Sequence, residues 1–394
     1  MPVSGRTQVA IVGAGPAGLL LGRLLELRGI DTVILEARDR AYVEQRQRAG
    51  ILEQLTIDLL DELGIGGRMR SEGFFHEGIE LLVDGEPTRI DMTGLTGRRV
   101  ALWPQTEVVK DLVGARIAAG LPLHFEVADV TLHDIETPVP RVTWTRPDGA
   151  RHELACDAIA GCDGFHGIAR ASLPAGALQI AEREYPFGWL GILADVAPSC
   201  EELIYASSER GFALHSMRTA AVSRLYVQVG HDERIEDWPD ARIWEELQLR
   251  LARDGWTLHE GPITEKGITP MRSFVAAPMA HGRLALAGDA AHIVPPTGAK
   301  GLNLAAADVR VLADALEELC AGHAGEEQLS RYSERALRRI WRAEHFSWWM
   351  TSMLHRFPDL DPFDRALQRS QLAYVTSSEA AMTTLAENYV GLPL

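Results

Sequence analysis

Three patterns in the sequence predict an α/β fold with an inserted, mixed or antiparallel β-sheet and a helical C-terminal region. The first is a β-rich run, Thr7 to Val12, closed by glycines and followed by a leucine-rich helix. The second is the stretch from Tyr185 to Lys266, where glycines thin out and apolar and polar residues alternate with period two. The third is helical periodicity from Asp308 onward. These patterns divide the chain into a nucleotide-binding unit over 1–180, a sheet unit over 181–268, and a segment over 269–394 that completes the first unit before turning helical.

The opening run carries the most local information. Gly13-Ala14-Gly15-Pro16-Ala17-Gly18 follows the first strand, Leu19 to Arg28 continues as helix, Gly29 closes it, and a second buried strand, Thr32 to Leu35, ends at Glu36. Strand, tight turn, helix, strand and terminal acid make a dinucleotide-binding unit. Gly13 permits the turn, Gly15 lets backbone N–H groups approach a pyrophosphate, Gly18 allows close helix packing, and Glu36 accepts from a ribose hydroxyl.

Two later segments repeat the theme. Ala158 to Arg170 and Arg283 to Leu304 each run from an apolar strand into Gly-x-Asp or Gly-Asp and then a glycine-punctuated turn. Asp163 and Asp289 therefore fall at strand ends, where open α/β sheets collect ligands.

In the period-two stretch, Phe212, Leu214, Ser216 and Arg218 share one strand face, with Ala213, His215 and Met217 on the other. A return strand, Ser223 to Val229, places Arg224, Tyr226 and Gln228 together. A serine and an arginine extending an apolar face are costly to bury unless a hydrogen-bonding anion meets them, so this face predicts a carboxylate site. Farther on, Trp341, Phe346, Trp348, Trp349, Met350 and Met353 crowd together and predict an interdomain or subunit contact.

Composition narrows the partners. With 394 residues, 46% hydrophobic and 24% charged, the chain is globular, and its net charge of −16 argues against nucleic acid or an anionic membrane. An anionic ligand then needs local arginines. Cys156, Cys162, Cys200 and Cys320 have no C-x-x-C or zinc-like spacing, so they read as reduced thiols of a cytoplasmic protein without a metal site. The longest nearly apolar run, Val9 to Gly22, falls short of the roughly 18 residues of a membrane span.

Taken together, these residues resemble the flavoprotein aromatic hydroxylases, almost end to end. Gly13 to Gly18, Cys162-Asp163-Gly164 and Gly288-Asp289 match the three flavin motifs of that family. Arg48 to Gln54, Phe187-Gly188-Trp189-Leu190 and Phe346 to Ser352 match more diagnostic stretches. The resemblance implies a glutathione-reductase-type, Rossmann-like FAD domain. It also implies FAD as cofactor, NADPH and/or NADH as co-substrate, and dioxygen, acting on a small aromatic acid in a homodimer. The implied reaction turns 4-hydroxybenzoate into 3,4-dihydroxybenzoate through a C4a-hydroperoxyflavin.

By position, Ser216, Arg218 and Tyr226 match the family's carboxylate-binding residues. Tyr205 and Tyr389 match the pair that bonds the substrate phenol, and His76 the histidine that passes its proton to solvent. Arg224 corresponds to an arginine beside the flavin, and Pro296 to a proline whose carbonyl lies near flavin and substrate. Arg48, Gln105, Asp289, Lys300, Leu302 and Asn303, with Asp163, match FAD contacts, and Arg46, His166 and Arg272 match nicotinamide-phosphate contacts. One departure stands out. Ala37 occupies a position where NADPH-preferring members carry arginine, while Tyr42 is kept, which implies relaxed nicotinamide preference.

Overall fold

The computed structural model of the chain describes residues 3–46, 50–322 and 325–393. Val9–Val12 is buried along its whole length and becomes a central strand. It belongs to a six-stranded sheet in the order Ala280–His281, Leu284–Leu286, Ala158–Gly161, Val9–Val12, Thr32–Leu35 and Leu123–His124. Every neighbouring pair is parallel except the edge pair of Ala280–His281 and Leu284–Leu286. Continuous Val, Ile and Leu suit strands covered on both faces. Helix Pro16–Leu27 packs against this sheet and against helix Gly301–Cys320, burying Leu20, Leu21 and Leu25 completely.

The period-two stretch forms most of an eight-stranded sheet. Its order is His292–Ile293, Ile263–Ala277, Gln179–Ala194, Val222–Gly230, Gly211–Thr219, Leu203–Ser208, Gly78–Val83 and Glu86–Asp91. Its eight strands were not all foreseeable from that stretch, because Gly78–Val83 joins in parallel beside Leu203–Ser208 from far upstream. Gln179–Ala194 and Ile263–Ala277 run through the expected borders at 180/181 and 268/269, so the two units share continuous strands. Smaller sheets of four and three strands complete the first unit, the latter joining Ile51–Leu52, Val100–Leu102 and Phe74–His76.

The C-terminal helices Gly325–Leu354, Pro362–Ser377 and Glu379–Val390 close over one face of the large sheet. The expected aromatic cluster divides between two surfaces. Phe346, Met350 and Met353 enter the core with Phe187, Trp189, Tyr205 and Phe212, whereas Trp341 and Trp348 stay 48% and 39% exposed. The cause is helical geometry, since residues so close in sequence must point around the whole helix. All four cysteines are free thiols, and no helix among the described residues is long and apolar enough to cross a membrane.

Candidate active site

The three flavin motifs meet in space. Gly13 has φ +105°, and a Cβ there would lie 2.4 Å from the Cys162 carbonyl oxygen; one on Gly18 would lie 2.0 Å from the Gly13 carbonyl oxygen. Gly288, at φ +62°, presses towards Ala17, to whose Cβ an added Cβ would stand 3.2 Å. Gly15 differs, because a Cβ built there meets nothing within 4 Å. It lies at the N-terminus of helix Pro16–Leu27, which no side chain caps. An open cradle at an uncapped helix N-terminus suits a pyrophosphate. Glu36 stands at its edge and accepts from the backbone N–H groups of Ala14 and Arg38, each at 2.8 Å. These residues fit FAD.

Other FAD-matched positions divide by role. Asp289 is exposed beside the Gly288 turn, and Gln105 opens helix Gln105–Ala118. Asp163 accepts from the Ala169 N–H at 2.8 Å, and its carboxylate fills the space a Cβ on Gly167 would need. Burial holds the Asp163 carboxyl above the ordinary aspartate value. Lys300, Leu302 and Asn303 mark the start of helix Gly301–Cys320. Here the side chains depart from a simple ligand-facing expectation. The Asn303 Oδ1 accepts from Glu53 N and Thr56 Oγ1, and its Nδ2 donates to Ile51 and Ala299 carbonyls. Lys300 Nζ donates to Glu53 Oε1 and to the carbonyls of Asn388 and Tyr389. Both side chains are thus spent on protein, which leaves main-chain groups to face a cofactor. Arg48 lies outside the described residues.

A second, apolar pocket is lined by Tyr205, Ser216, Arg218, Arg224, Tyr226 and Pro296, with Leu214, Met217 and Trp189 among its walls. Antiparallel register builds it: Ser216 pairs with Arg224 and Leu214 with Tyr226 across neighbouring strands. Gly191 makes room for the Tyr226 ring, whose Cε1 would stand 3.2 Å from an added Cβ. Met217 was expected on the opposite face. A register shift between Met217 and Thr219 turns it into the same pocket. Arg218 is half-buried, and burial first, then the nearby Arg224, lower its pKa from the ordinary arginine value. Its Nη2 donates to Thr106 Oγ1 at 3.0 Å.

Tyr205 pairs in register with Leu214 and reaches the pocket wall. Its hydroxyl lies 2.6 Å from the Tyr389 hydroxyl, and both rings are 1% exposed. Burial raises both phenol pKa values above the ordinary tyrosine value. His76, at the end of Phe74–His76, is 2% exposed and held down at about 4 by burial, hence neutral near pH 7. Neither ring nitrogen has a hydrogen-bond partner among the described residues, so His76 bonds to neither tyrosine directly.

Sequence reasoning missed two groups behind this pocket. Thr106 fixes Arg218, as described. His355 fixes Trp189: the indole Nε1 donates to His355 Nε2 at 2.7 Å, which obliges the imidazole to carry its proton on Nδ1, 3.1 Å from the Thr351 carbonyl. The imidazole stacks on Phe187 and Phe212 at 4.9 and 4.3 Å, and burial holds its pKa down at about 3. The Thr351 hydroxyl in turn lies 2.9 Å from that of Thr297, next to Pro296. No local pattern marks these contacts, which join distant segments.

The nicotinamide-matched residues lie on the surface. Arg46 and Arg38 stand 6.0 and 5.1 Å from the Tyr42 ring centre, while Asp39 caps the short helix Arg40–Gln45. Arg40 is paired with Glu44 at 2.6 Å. His166 is exposed beside Phe165, over which Arg272 lies at 5.0 Å.

A glycine-lined cradle that fits FAD and an arginine-bearing aromatic pocket on the same chain are the features of a flavin-dependent aromatic hydroxylase. The chain belongs to the FAD binding domain family, which matches residues 6–347, and within it to the p-hydroxybenzoate hydroxylases. It is 52% identical over 390 residues to the "p-hydroxybenzoate hydroxylase" of Acinetobacter baylyi, covering 98% of this chain and 96% of that one. A 3-(3-hydroxy-phenyl)propionate/3-hydroxycinnamic acid hydroxylase of Mycobacterium avium is 26% identical over 83% of this chain and 57% of its own length. Among solved structures, p-nitrophenol 4-monooxygenase of Pseudomonas putida has a TM-score of 0.84 at 20% identity, covering 100% of both chains. Aklavinone-11 hydroxylase in complex with FAD and aklavinone has a TM-score of 0.74 at 22% identity, covering 89% of this chain and 69% of that one.

Proposed function

We propose that the chain hydroxylates 4-hydroxybenzoate to 3,4-dihydroxybenzoate, consuming NADPH or NADH and dioxygen. The observation that carries this reading is one pocket holding a guanidinium and a phenol relay. Leu214, the register partner of Tyr205, and Arg218 lie four residues apart on one strand, about 13 Å of backbone. Arg218, with Ser216 and Tyr226, takes the carboxylate, and Tyr205 takes the phenol.

Bound FAD supplies hydride acceptance from the nicotinamide and the activation of dioxygen. Gly13, Gly15, Gly18, Glu36, Gln105, Asp163, Asp289, Arg224 and the main chain of Lys300 to Asn303 hold it, with Arg48 as a further contact. Arg46, His166 and Arg272 receive the nicotinamide phosphate. The remaining work falls to the chain. A phenol of pKa ~10 needs ~4 kcal/mol to ionise fully at pH 7. One charge-assisted hydrogen bond contributes ~1.5 to 3 kcal/mol, so the positive field of Arg218 and Arg224 adds the rest. When the substrate hydroxyl donates to Tyr205, Tyr205 donates to Tyr389; the reverse order returns a donor to the phenolate. His76, neutral and enclosed, passes the proton onward. Pro296 walls the pocket, and its carbonyl would face substrate and flavin once both are bound.

A homodimer belongs to this reading. Phe363, Leu367 and Tyr374, exposed by 69%, 54% and 58%, form one stripe of helix Pro362–Ser377, and Trp341 and Trp348 are further exposed apolar side chains on helix Gly325–Leu354. A cytoplasmic location also fits the free thiols. The division into 1–180, 181–268 and 269–394 is retained as functional units that share strands. The deciding experiment mixes FAD-loaded enzyme with 4-hydroxybenzoate, oxygen and either nucleotide, comparing nucleotide consumed with 3,4-dihydroxybenzoate formed. Near-equal amounts are expected; nucleotide oxidation without that product would overturn the proposal.

A further inference from the structure

Away from the pocket, a cleft of about 810 Å³ lies between the Ser207–Arg210 turn, the end of helix Asp240–Arg250 and the segment leading from His355 into helix Pro362–Ser377. Its size is that of a small-molecule site. Five arginines line it against three carboxylates, on a chain whose net charge is −16. Arg210 and Arg250 both pair with Glu246, and Arg369 pairs with Glu209. Arg356 and Arg365 are different. Arg356 Nη1 donates to the Glu209 carbonyl at 2.6 Å and Arg365 Nε to the Leu360 carbonyl at 3.1 Å, and among the described residues neither has a carboxylate partner. Phe357, Leu360 and Leu372 add apolar lining to the same cleft.

We infer that this cleft is a second binding site, for a small organic carboxylate with an apolar body, held by Arg356 and Arg365 over Phe357 and Leu360. A guanidinium fork matches a carboxylate bidentately, and apolar lining disfavours a bare inorganic anion. A dimer formed through the Phe363, Leu367 and Tyr374 stripe proposed above would leave the site open. At about 100° per residue, Phe363, Leu367 and Tyr374 cluster within about 40° of helix Pro362–Ser377, whereas Arg365, Gln368 and Leu372 lie about 140 to 200° round. The occupant also has a route to the reaction. His355 lines the cleft, and its imidazole accepts from Trp189, which lines the substrate pocket.

The inference does not depend on the reaction assigned to the first pocket. Equilibrium dialysis of the FAD-loaded enzyme against radiolabelled benzoate tests it. Two equivalents per chain are expected in the wild type, with one lost in Arg356→Gln/Arg365→Gln. Arg218→Ala should lose the other equivalent and keep this one, so failure of the first pocket is read separately. Both cleft arginines are exposed, and an unchanged flavin spectrum and melting temperature would verify the fold of the double variant. Cyclohexanecarboxylate should displace the second equivalent and inorganic phosphate should not. Saturation at one equivalent in the wild type, retention of both in the double variant, or displacement by phosphate alone would overturn the site.

Discussion

The hydroxyls of Tyr205 and Tyr389 lie 2.6 Å apart, closed off from solvent and joined across 184 residues of sequence. Both phenols are held neutral by burial, and either hydroxyl can be the donor of the bond between them without either becoming charged. Of the two, only Tyr205 lines the apolar pocket, which under the proposed function makes it the substrate contact and Tyr389 its relay.

Tyr205→Phe should therefore keep FAD and flavin reduction but lose ring hydroxylation. Reducing equivalents then leave as hydrogen peroxide, because the ring is insufficiently activated. Comparing peroxide with 3,4-dihydroxybenzoate tests this, and full coupling in the variant would sink the role.

Arg218→Ala should weaken 4-hydroxybenzoate binding by ~2 to 5 kcal/mol, tens-fold to thousands-fold. Thr106→Val leaves the guanidinium in place but removes the hydroxyl that steers it. A loss of ~1.5 kcal/mol, about tenfold in Kd, is expected. Titration of the flavin absorbance change measures both, and an unaltered Kd in Thr106→Val would dismiss the steering contact.

Gly15→Val should give a folded but colourless protein. The space before Gly15 is open and its backbone, at φ −72° and ψ −179°, is extended, so valine strains nothing except an incoming pyrophosphate. Gly18→Ala should instead lower the melting temperature, since its Cβ meets the Gly13 carbonyl at 2.0 Å. Flavin content and thermal unfolding separate the two outcomes.

His355 is neutral in the folded protein down to about pH 3 but titrates near 6.5 when unfolded. Its folded pKa is depressed, so the unfolded chain binds the extra proton, and stability falls as pH drops from about 6.5 towards 3. The loss from this group reaches about 3 kcal/mol at pH 4. His355→Gln keeps an acceptor for Trp189 and a donor for Thr351 without titrating. Its unfolding free energy should decline less steeply with acid than that of the wild type. His355→Leu should raise KM through a displaced Trp189 while glutamine restores it. Parallel pH slopes in denaturant unfolding would remove the argument.

Nicotinamide preference should be relaxed, with both NADPH and NADH used. Ala37 lacks the charge expected of an NADPH-selective site, Arg40 is occupied by Glu44, and Arg38 and Arg46 remain near Tyr42. A kcat/KM ratio above about a hundredfold for NADPH, ~2.7 kcal/mol, would show these two arginines fully compensating.

What the sequence disclosed follows from locality. The Gly13 to Gly18 turn and the Ser216–Arg218 face were legible because glycine spacing and period two act over a few residues. The parallel seat of Gly78–Val83 beside Leu203–Ser208 was not, because nothing in either strand names its distant partner. Thr106, His355 and the committed side chains of Lys300 and Asn303 were hidden for the same reason. The inward turn of Met217 needed a bulge that alternation alone does not reveal.

The pairing of Ser216 with Arg224 makes the hairpin connection Thr219 to Val222 a determinant of chemistry. Side chains alternate, so a slip of one residue in Val222–Gly230 would withdraw Arg224 and Tyr226 from the pocket and present Leu225 and Val227 in their place. Those two now sit in a separate apolar cluster with Trp238 and Trp244. An insertion in the turn could thus erase acid recognition while every recognised site residue remained in the sequence, and relatives with intact motifs but altered turn length would be sorted wrongly by motif alone.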